Sequence, residues 1–260
     1  MVRGIDIFRD YFKGFENNYI IIGGTACEFH EEQYAQVPRA TKDIDIILNI
    51  EALSHNFIER FWSFVKQGQY QQREKGAGGI GSVRHEYYRF MRPQTSGYPM
   101  QIELFSRNLG LLDFPEDAAI TPIPTDEDLS SLSAILMDDD YYNFTIQHST
   151  LMDGVHIADI ESLICLKSKA FVDLTRQKQN GEHVDSRNIL KHKKDVFRLA
   201  AMLTPENHYD LPKQLSEDVE KFCYLAEEDL PNDDFFKAAG LPGLNPEEIL
   251  SQLRKSFIHA

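Results

Sequence analysis

Tyr19-Ile20-Ile21-Ile22-Gly23-Gly24-Thr25 and, after a polar stretch, Thr41-Lys42-Asp43-Ile44-Asp45-Ile46-Ile47-Leu48 decide how the rest of this chain is read. Both apolar runs are rich in β-branched residues and read as strands. Asp43 and Asp45 are two residues apart, and successive strand side chains alternate between faces, so both carboxylates stand on one side. Two like charges held together are unfavourable in themselves. A divalent cation such as Mg²⁺ (or Mn²⁺) between them reverses the sign, because hard cations take carboxylate oxygens and keep room for substrate phosphates. The Gly23-Gly24 turn fits the same chemistry, since glycine accepts positive φ and lets a ligand approach the backbone closely. If residues 25–32 continue as a helix, its first N–H groups are free to meet an anion. Each element alone is commonplace: Gly-Gly is usually a tight turn, and Asp-x-Asp arises by chance. Their order, with apolar strands on both sides, points to phosphate chemistry.

Composition sets the frame. The chain has 260 residues, enough for one large domain or two small ones, and 42% apolar content gives ample core. No run of about 18 apolar residues occurs, and the first residues lack a signal-peptide apolar region, so no membrane association and a cytoplasmic location are expected. Cys27, Cys165 and Cys223 are far apart and show no metal-type spacing, which leaves them as small buried apolar residues. A net charge of −14 disfavours a general nucleic-acid binder, but the charge is uneven. Nine Lys/Arg against four acids lie between Lys167 and Arg198, and twelve acids against five bases from Thr204 to the end, so a basic face beside an acidic region is expected.

Along the chain, the apolar spacing of residues 5–15 predicts an amphipathic helix that leads into the first strand. Residues 52–67, with Leu53, Phe57, Phe61 and Phe64 spaced by three and four, predict another. The glycine run Gly76 to Gly81 lacks the Lys-Ser/Thr ending of a P-loop and reads as a hairpin tip. Residues 87–91 and 100–105 read as paired strands, and Glu103 stands in the second among apolar neighbours. Residues 111–128 read as an irregular connection. Asp138-Asp139-Asp140 reads as a solvated turn before a strand over residues 142–147, because nothing forces three consecutive acids to converge.

Beyond Asp159 the pattern turns helical. Lys167 falls on the apolar stripe of the first long helix, so its ammonium either snorkels outward or enters a cleft, where it could neutralise a triphosphate. Residues 185–203 form the next predicted helix, with Asp185 or Ser186 as N-cap and Lys191, Lys194, Asp195 and Arg198 on its solvated side. Two further helices follow, over residues 215–228 and 246–257. The expected architecture is an α+β fold: a mixed β-sheet with flanking helices over residues 1–150, then a helical C-terminal half over 151–260.

A strand, a Gly-Gly turn into a helix and an Asp-x-Asp strand resemble the nucleotidyltransferase superfamily with the DNA polymerase β type of core. That resemblance implies that Gly23 and Gly24 contact a nucleoside triphosphate and that Asp43 and Asp45 hold two metals. Where the family often has Ser after the turn, this chain has Gly24 followed by Thr25, which keeps a hydroxyl available. The family's third carboxylate comes from a neighbouring strand, and Glu103 matches that place, as metal ligand and general base; otherwise it is an edge-strand Glu facing solvent.

With Asp159 to Lys167 and Lys193 to Leu199 added, the likeness narrows to the AbiEii/AbiGii-type nucleotidyltransferases, toxin-like enzymes of abortive-infection and toxin–antitoxin systems. It covers roughly residues 19–203, and only the Gly-Gly and Asp-x-Asp blocks are specific. It implies a nucleotide contact for Lys167, a catalytic or structural place for Asp195, an antitoxin partner, and transfer of a nucleoside monophosphate (an EC 2.7.7 type reaction, with ATP among the possible donors) to an acceptor such as transfer RNA or a protein. Two rivals are an aminoglycoside-type enzyme with a small-molecule acceptor and a non-catalytic binding module on the same fold. Two neighbouring aspartates weigh against the module, because without a metal they only repel.

Overall fold

The computed structural model describes residues 2–72, 88–107, 120–123 and 132–258. The chain divides into two compact units: Met1–Thr25 with Ala40–Ala158, and Ala26–Arg39 with Asp159–Ala260. The glycine run at 76–81 and most of the connection at 111–128 lie outside the described residues.

The first unit is built on a mixed sheet. Its elements in chain order are helix α1 (Ile5–Tyr11), strand β1 (Tyr19–Ile22), the opening of helix α2 (Gly23–Gln33), β2 (Asp43–Leu48), α3 (His55–Gly68), β3 (Gln71–Gln72), β4 (Arg89–Met91), β5 (Gln101–Arg107), β6 (Ile120–Ile123), β7 (Leu132–Met137), α4 (Asp139–Gln147), β8 (Ser149–Met152) and β9 (Val155–Ala158). The strands run in the order β3-β4-β5-β2-β1-β9-β8, with β7 also beside β5 and β6 beside β7. β2 is antiparallel to β1 and parallel to β5, and β4 is antiparallel to β5.

The period-2 rule assigns the two faces. Ile44, Ile46, Ile102, Leu104 and Phe90 are fully buried, with Ile44, Ile102 and Phe90 level with one another across three strands. The aromatic side chains of α1 and α3 fill this side. Phe12 lies 5.6 Å from Phe57 and 5.2 Å from Phe64, and Phe61 meets Phe90 edge-on at 5.3 Å. Phe rings at the spacing of one helix face thus supply most of the core, at roughly 1.5–3 kcal/mol per buried side chain. The opposite face carries Asp43, Asp45, Gln101, Glu103 and Arg89, all half-buried.

One local expectation is corrected, and one hairpin is added to the reading. Asp138-Asp139-Asp140 is no turn before a strand: Asp138 caps α4, its carboxylate accepting from the Asp140 N–H, and residues 142–147 are helical. Acids suit a helix N-terminus because they offset the exposed N–H groups and the positive end of the dipole. The β8–β9 hairpin had not been anticipated, although its Asp153-Gly154 turn, with φ of 48° and 76°, carries one of the strongest hairpin signals in a sequence.

The second unit is helical, with the rest of α2, α5 (Ile160–Gln179), α6 (Ser186–Ala200), α7 (Lys213–Glu227), α8 (Asp233–Ala238) and α9 (Pro246–Phe257). Asp185 caps α6 through the Arg187 N–H, and Asn245 caps α9 through the Glu247 N–H. Cys27, Cys165 and Cys223 are buried and unbridged, as expected of small apolar side chains. Among the described residues no helix is long and apolar enough to cross a membrane.

Candidate active site

β1 ends at Ile22, and the chain passes directly into α2 at Gly23. Gly23 has φ of 72°, a backbone region that a side chain makes costly. There is a second reason for glycine here: a Cβ at this position would collide with Oδ2 of Asp45. The carboxylate of Asp45 is therefore packed against the first residue of a helix, where the helix dipole favours negative charge. Thr25 is fully buried, and its hydroxyl donates to the main-chain carbonyl of Asp43 at 2.6 Å, fixing the strand that carries both aspartates to the helix start.

The register completes the row. Asp45 is level with Ile22 on β1 and with Glu103 on β5, and Glu103 is level with Arg89 on β4. Paired residues on adjacent strands share a face, so Asp45, Glu103 and Arg89 form one transverse line and Asp43 stands one step along from it. Glu103 does not face open solvent. It forms an ion pair with Arg89, with side-chain exposures of 14% for the glutamate and 28% for the arginine.

Among the described residues no group of three His, Cys, Asp or Glu side chains could hold a metal ion as they stand. Two aspartates on one face do suit Mg²⁺, which is commonly held by one or two carboxylates together with waters and substrate phosphates. The room that Gly23 leaves for the Asp45 carboxylate supports the same fit. Glu103, held by Arg89, does not belong to that set in this arrangement.

Replacing Gly23 with alanine should cost about 1–2 kcal/mol for the left-handed backbone alone, and it must also move the Asp45 carboxylate. A displacement of about 1 Å in a reacting group can cost about a hundredfold in rate. The expected result is a lowered melting temperature together with a loss of transfer of that size. A lowered melting temperature with unchanged transfer would confine Gly23 to a backbone role.

Lys167 and Asp195 are found in the second unit, paired with each other. Lys167 Nζ lies 3.0 Å from Asp195 Oδ2, and both side chains are almost fully buried. Arg39, at the end of the segment that belongs to this unit, bonds Asp195 Oδ1 at 3.1 Å. Glu31 accepts from Arg198 Nε at 2.7 Å and from the main-chain N–H of Arg39 at 3.1 Å. Asp195 and Arg198, expected on a solvated helix side, are thus interior residues. The α2 segment supplies the counter-charges that make their burial tolerable.

Burial opposes the Asp195 charge, but Lys167 and Arg39 outweigh it and hold the carboxyl below its ordinary range. Burial likewise works against the Lys167 ammonium, but its neighbours Cys27, where ionised, and Asp195 hold its pKa above the ordinary lysine range. The Cys27 thiol, pushed up to about 12 by burial, keeps its proton at neutral pH. Asp195 is therefore the counter-ion of Lys167 there.

Part of the expected basic face between Lys167 and Arg198 is ion-paired. Lys193 pairs with Asp229 at 2.5 Å, Arg198 with Glu31 at 2.7 Å, Lys169 with Asp173 at 3.2 Å and Arg187 with Asp185 at 2.7 Å. Glu31 and Asp229 come from outside the stretch, so a count along the sequence could not include them. Arg89 and Arg39, which sequence reasoning had passed over, carry no signal of their own, because each is defined by a partner far along the chain.

The chain matches no known protein family and no curated protein. Two solved structures of Helicobacter pylori proteins align with it. One is JHP933, at 16% identity over 96% of this chain and 87% of that one, with a TM-score of 0.31. The other is a candidate nucleotidyltransferase, at 17% identity over 96% and 89%, with a TM-score of 0.33. Superpositions this loose carry no argument, and the chemistry rests on the geometry above.

Proposed function

We propose that this chain is a metal-dependent nucleotidyltransferase of the polymerase β type, and within it a relative of the AbiEii/AbiGii-type enzymes. The observation that carries the reading is the row on the half-open sheet face: Asp43 and Asp45 on one strand, Asp45 packed against the Gly23 turn that starts a helix, and Glu103 beside it. Asp43 and Asp45 would hold Mg²⁺ or Mn²⁺ with the triphosphate of a nucleoside triphosphate. The metal, when bound, supplies charge neutralisation on the phosphates and acidifies the acceptor hydroxyl.

The chain's own part is to position. The N–H groups at Gly23 and Gly24 face the phosphates at the helix start. The acceptor oxygen forms a bond to the α-phosphorus as the bond to the β-phosphate oxygen breaks. Pyrophosphate leaves with that electron pair, and the hydroxyl proton passes to a carboxylate of the row. In the second unit the Lys167–Asp195 pair serves as an internal brace in this reading.

For the acceptor, two readings stand. A nucleic-acid or protein acceptor, with an antitoxin-type partner in the cytoplasm, follows from the AbiEii/AbiGii resemblance. A small-molecule acceptor is favoured by the pairing of Lys193 and Arg198 with acids from outside the basic stretch, which leaves less free positive charge for an RNA backbone. The experiment is transfer of label from each α-labelled nucleoside triphosphate, with Mg²⁺ or Mn²⁺, into cellular RNA, protein and small molecules separately. Label entering one pool supports the enzyme and identifies its acceptor class. No label in any pool, with no binding of metal and nucleotide, would leave the non-catalytic module.

A further inference from the structure

We infer that Arg89 is a latch on Glu103, opened by the triphosphate of the substrate, so that the third carboxylate joins the metal site only when nucleotide is present. The inference rests on the nucleotidyltransferase reading. Three observations carry it. Arg89, Glu103 and Asp45 are level across three neighbouring strands and share the half-open face. Glu103 is engaged by Arg89, so no three-carboxylate group exists among the described residues. The glutamate is mostly buried, whereas twice the fraction of the arginine side chain reaches solvent, the side from which a nucleotide arrives.

The charge balance gives the device its direction. While Arg89 holds Glu103, a divalent cation beside Asp45 would meet a guanidinium two strands away, on the order of 10 Å from the Asp45 backbone. It would also lack one ligand. A triphosphate competes well for the guanidinium, because phosphate oxygens can accept its fork of N–H groups in bidentate fashion and carry more negative charge than one carboxylate. Once Arg89 turns to the phosphate, the Glu103 carboxylate next to Asp45 has lost its counter-ion, and a divalent cation is the natural replacement. Arg89 and Glu103 are then paired in both states: arginine with glutamate before, arginine with phosphate and glutamate with metal after. Arg89 is accordingly a positioning residue for Glu103 and a phosphate contact after release.

Mn²⁺ binding to the full-length protein tests the latch by calorimetry, with and without α,β-methylene ATP, whose bridging carbon blocks transfer. Without nucleotide, Arg89→Ala should bind Mn²⁺ about tenfold more tightly than wild type, an ordinary size for coupled sites. The gain should vanish in Arg89→Ala/Glu103→Gln. With Mn²⁺ present, Arg89→Ala should bind the analogue about tenfold more weakly. Opposite signs for metal and nucleotide are what a purely structural ion pair would not produce. Arg89→Met, which keeps the apolar stem, repeats the measurement if the alanine protein does not fold. Equal Mn²⁺ affinity for wild type and a folded Arg89 variant, with nucleotide-dependent Mn²⁺ binding intact in wild type, overturns the latch and leaves the enzyme reading standing. Wild type that binds no Mn²⁺ even with the analogue overturns both.

Discussion

Asparagine in place of Asp45 should lower nucleotide transfer by about a thousandfold or more while the protein stays folded. The change keeps the shape of the side chain and removes its charge. A metal ligand contributes several kcal/mol of transition-state stabilisation, and each 1.36 kcal/mol is tenfold in rate. Against this, asparagine fills the same space beside Gly23, so the packing of the helix start is kept. The pair of measurements is label transfer and thermal unfolding on the same preparation. Transfer within a few-fold of wild type would remove Asp45 from the chemistry, and unfolding far below wild type would make it a structural residue.

The second large effect is thermodynamic. Asp195→Ala should reduce the unfolding free energy by about 3–5 kcal/mol, because it leaves the buried Lys167 ammonium without its counter-ion. Replacing both partners by apolar residues, as in Lys167→Met/Asp195→Leu, should recover much of that loss, since both desolvation costs disappear together. Urea unfolding of the two single variants and the double variant measures it, and additive losses would mean that the pair is not coupled.

The sign of the pH dependence follows. The Asp195 carboxyl titrates below its ordinary range in the folded protein, so its stabilisation is complete above pH ~4 and is lost as pH falls through the lowered value. Lys167 is held above the ordinary lysine range, so its share is complete below pH ~10 and is lost as pH rises beyond that. Stability measured in wild type minus Asp195→Ala should therefore be flat through neutral pH and shrink at both ends.

Much of the first unit was legible because local chemistry fixed it. The Ile-rich runs, the Gly-Gly turn and the i, i+2 aspartates each act within a few residues, and the structure arranges them as the period-2 rule requires. The helix start at Asp185 follows the same logic, since the cap accepts from an N–H two residues on. What could not be read were partners set by tertiary pairing. Lys167 was out of place on an apolar stripe, but its counter-ion Asp195 lies on the following helix, and the second cation on that carboxylate, Arg39, on a segment far upstream. Glu103 was picked out by its strand, whereas its neighbour Arg89 depends on the register of β4 against β5. The acidic triplet failed for a different reason: consecutive aspartates serve turns and helix starts equally well, and only the apolar side chains of α4, Tyr141, Tyr142 and Phe144, decide between them.

The membership of Ala26–Arg39 in the second unit governs the order of assembly. That unit is discontinuous: its first piece leaves the ribosome more than a hundred residues before its second. Until the later helices emerge, Glu31 lacks Arg198 and the Val37 N–H lacks the Ala239 carbonyl, to which it donates at 2.9 Å. Closing those links ties together positions far apart in sequence, 167 residues in the case of Glu31 and Arg198, and contacts so distant form slowly because chain entropy must be given up first. The second unit is thereby finished only after the helix that carries Arg198 and the residues around Ala239 have been made.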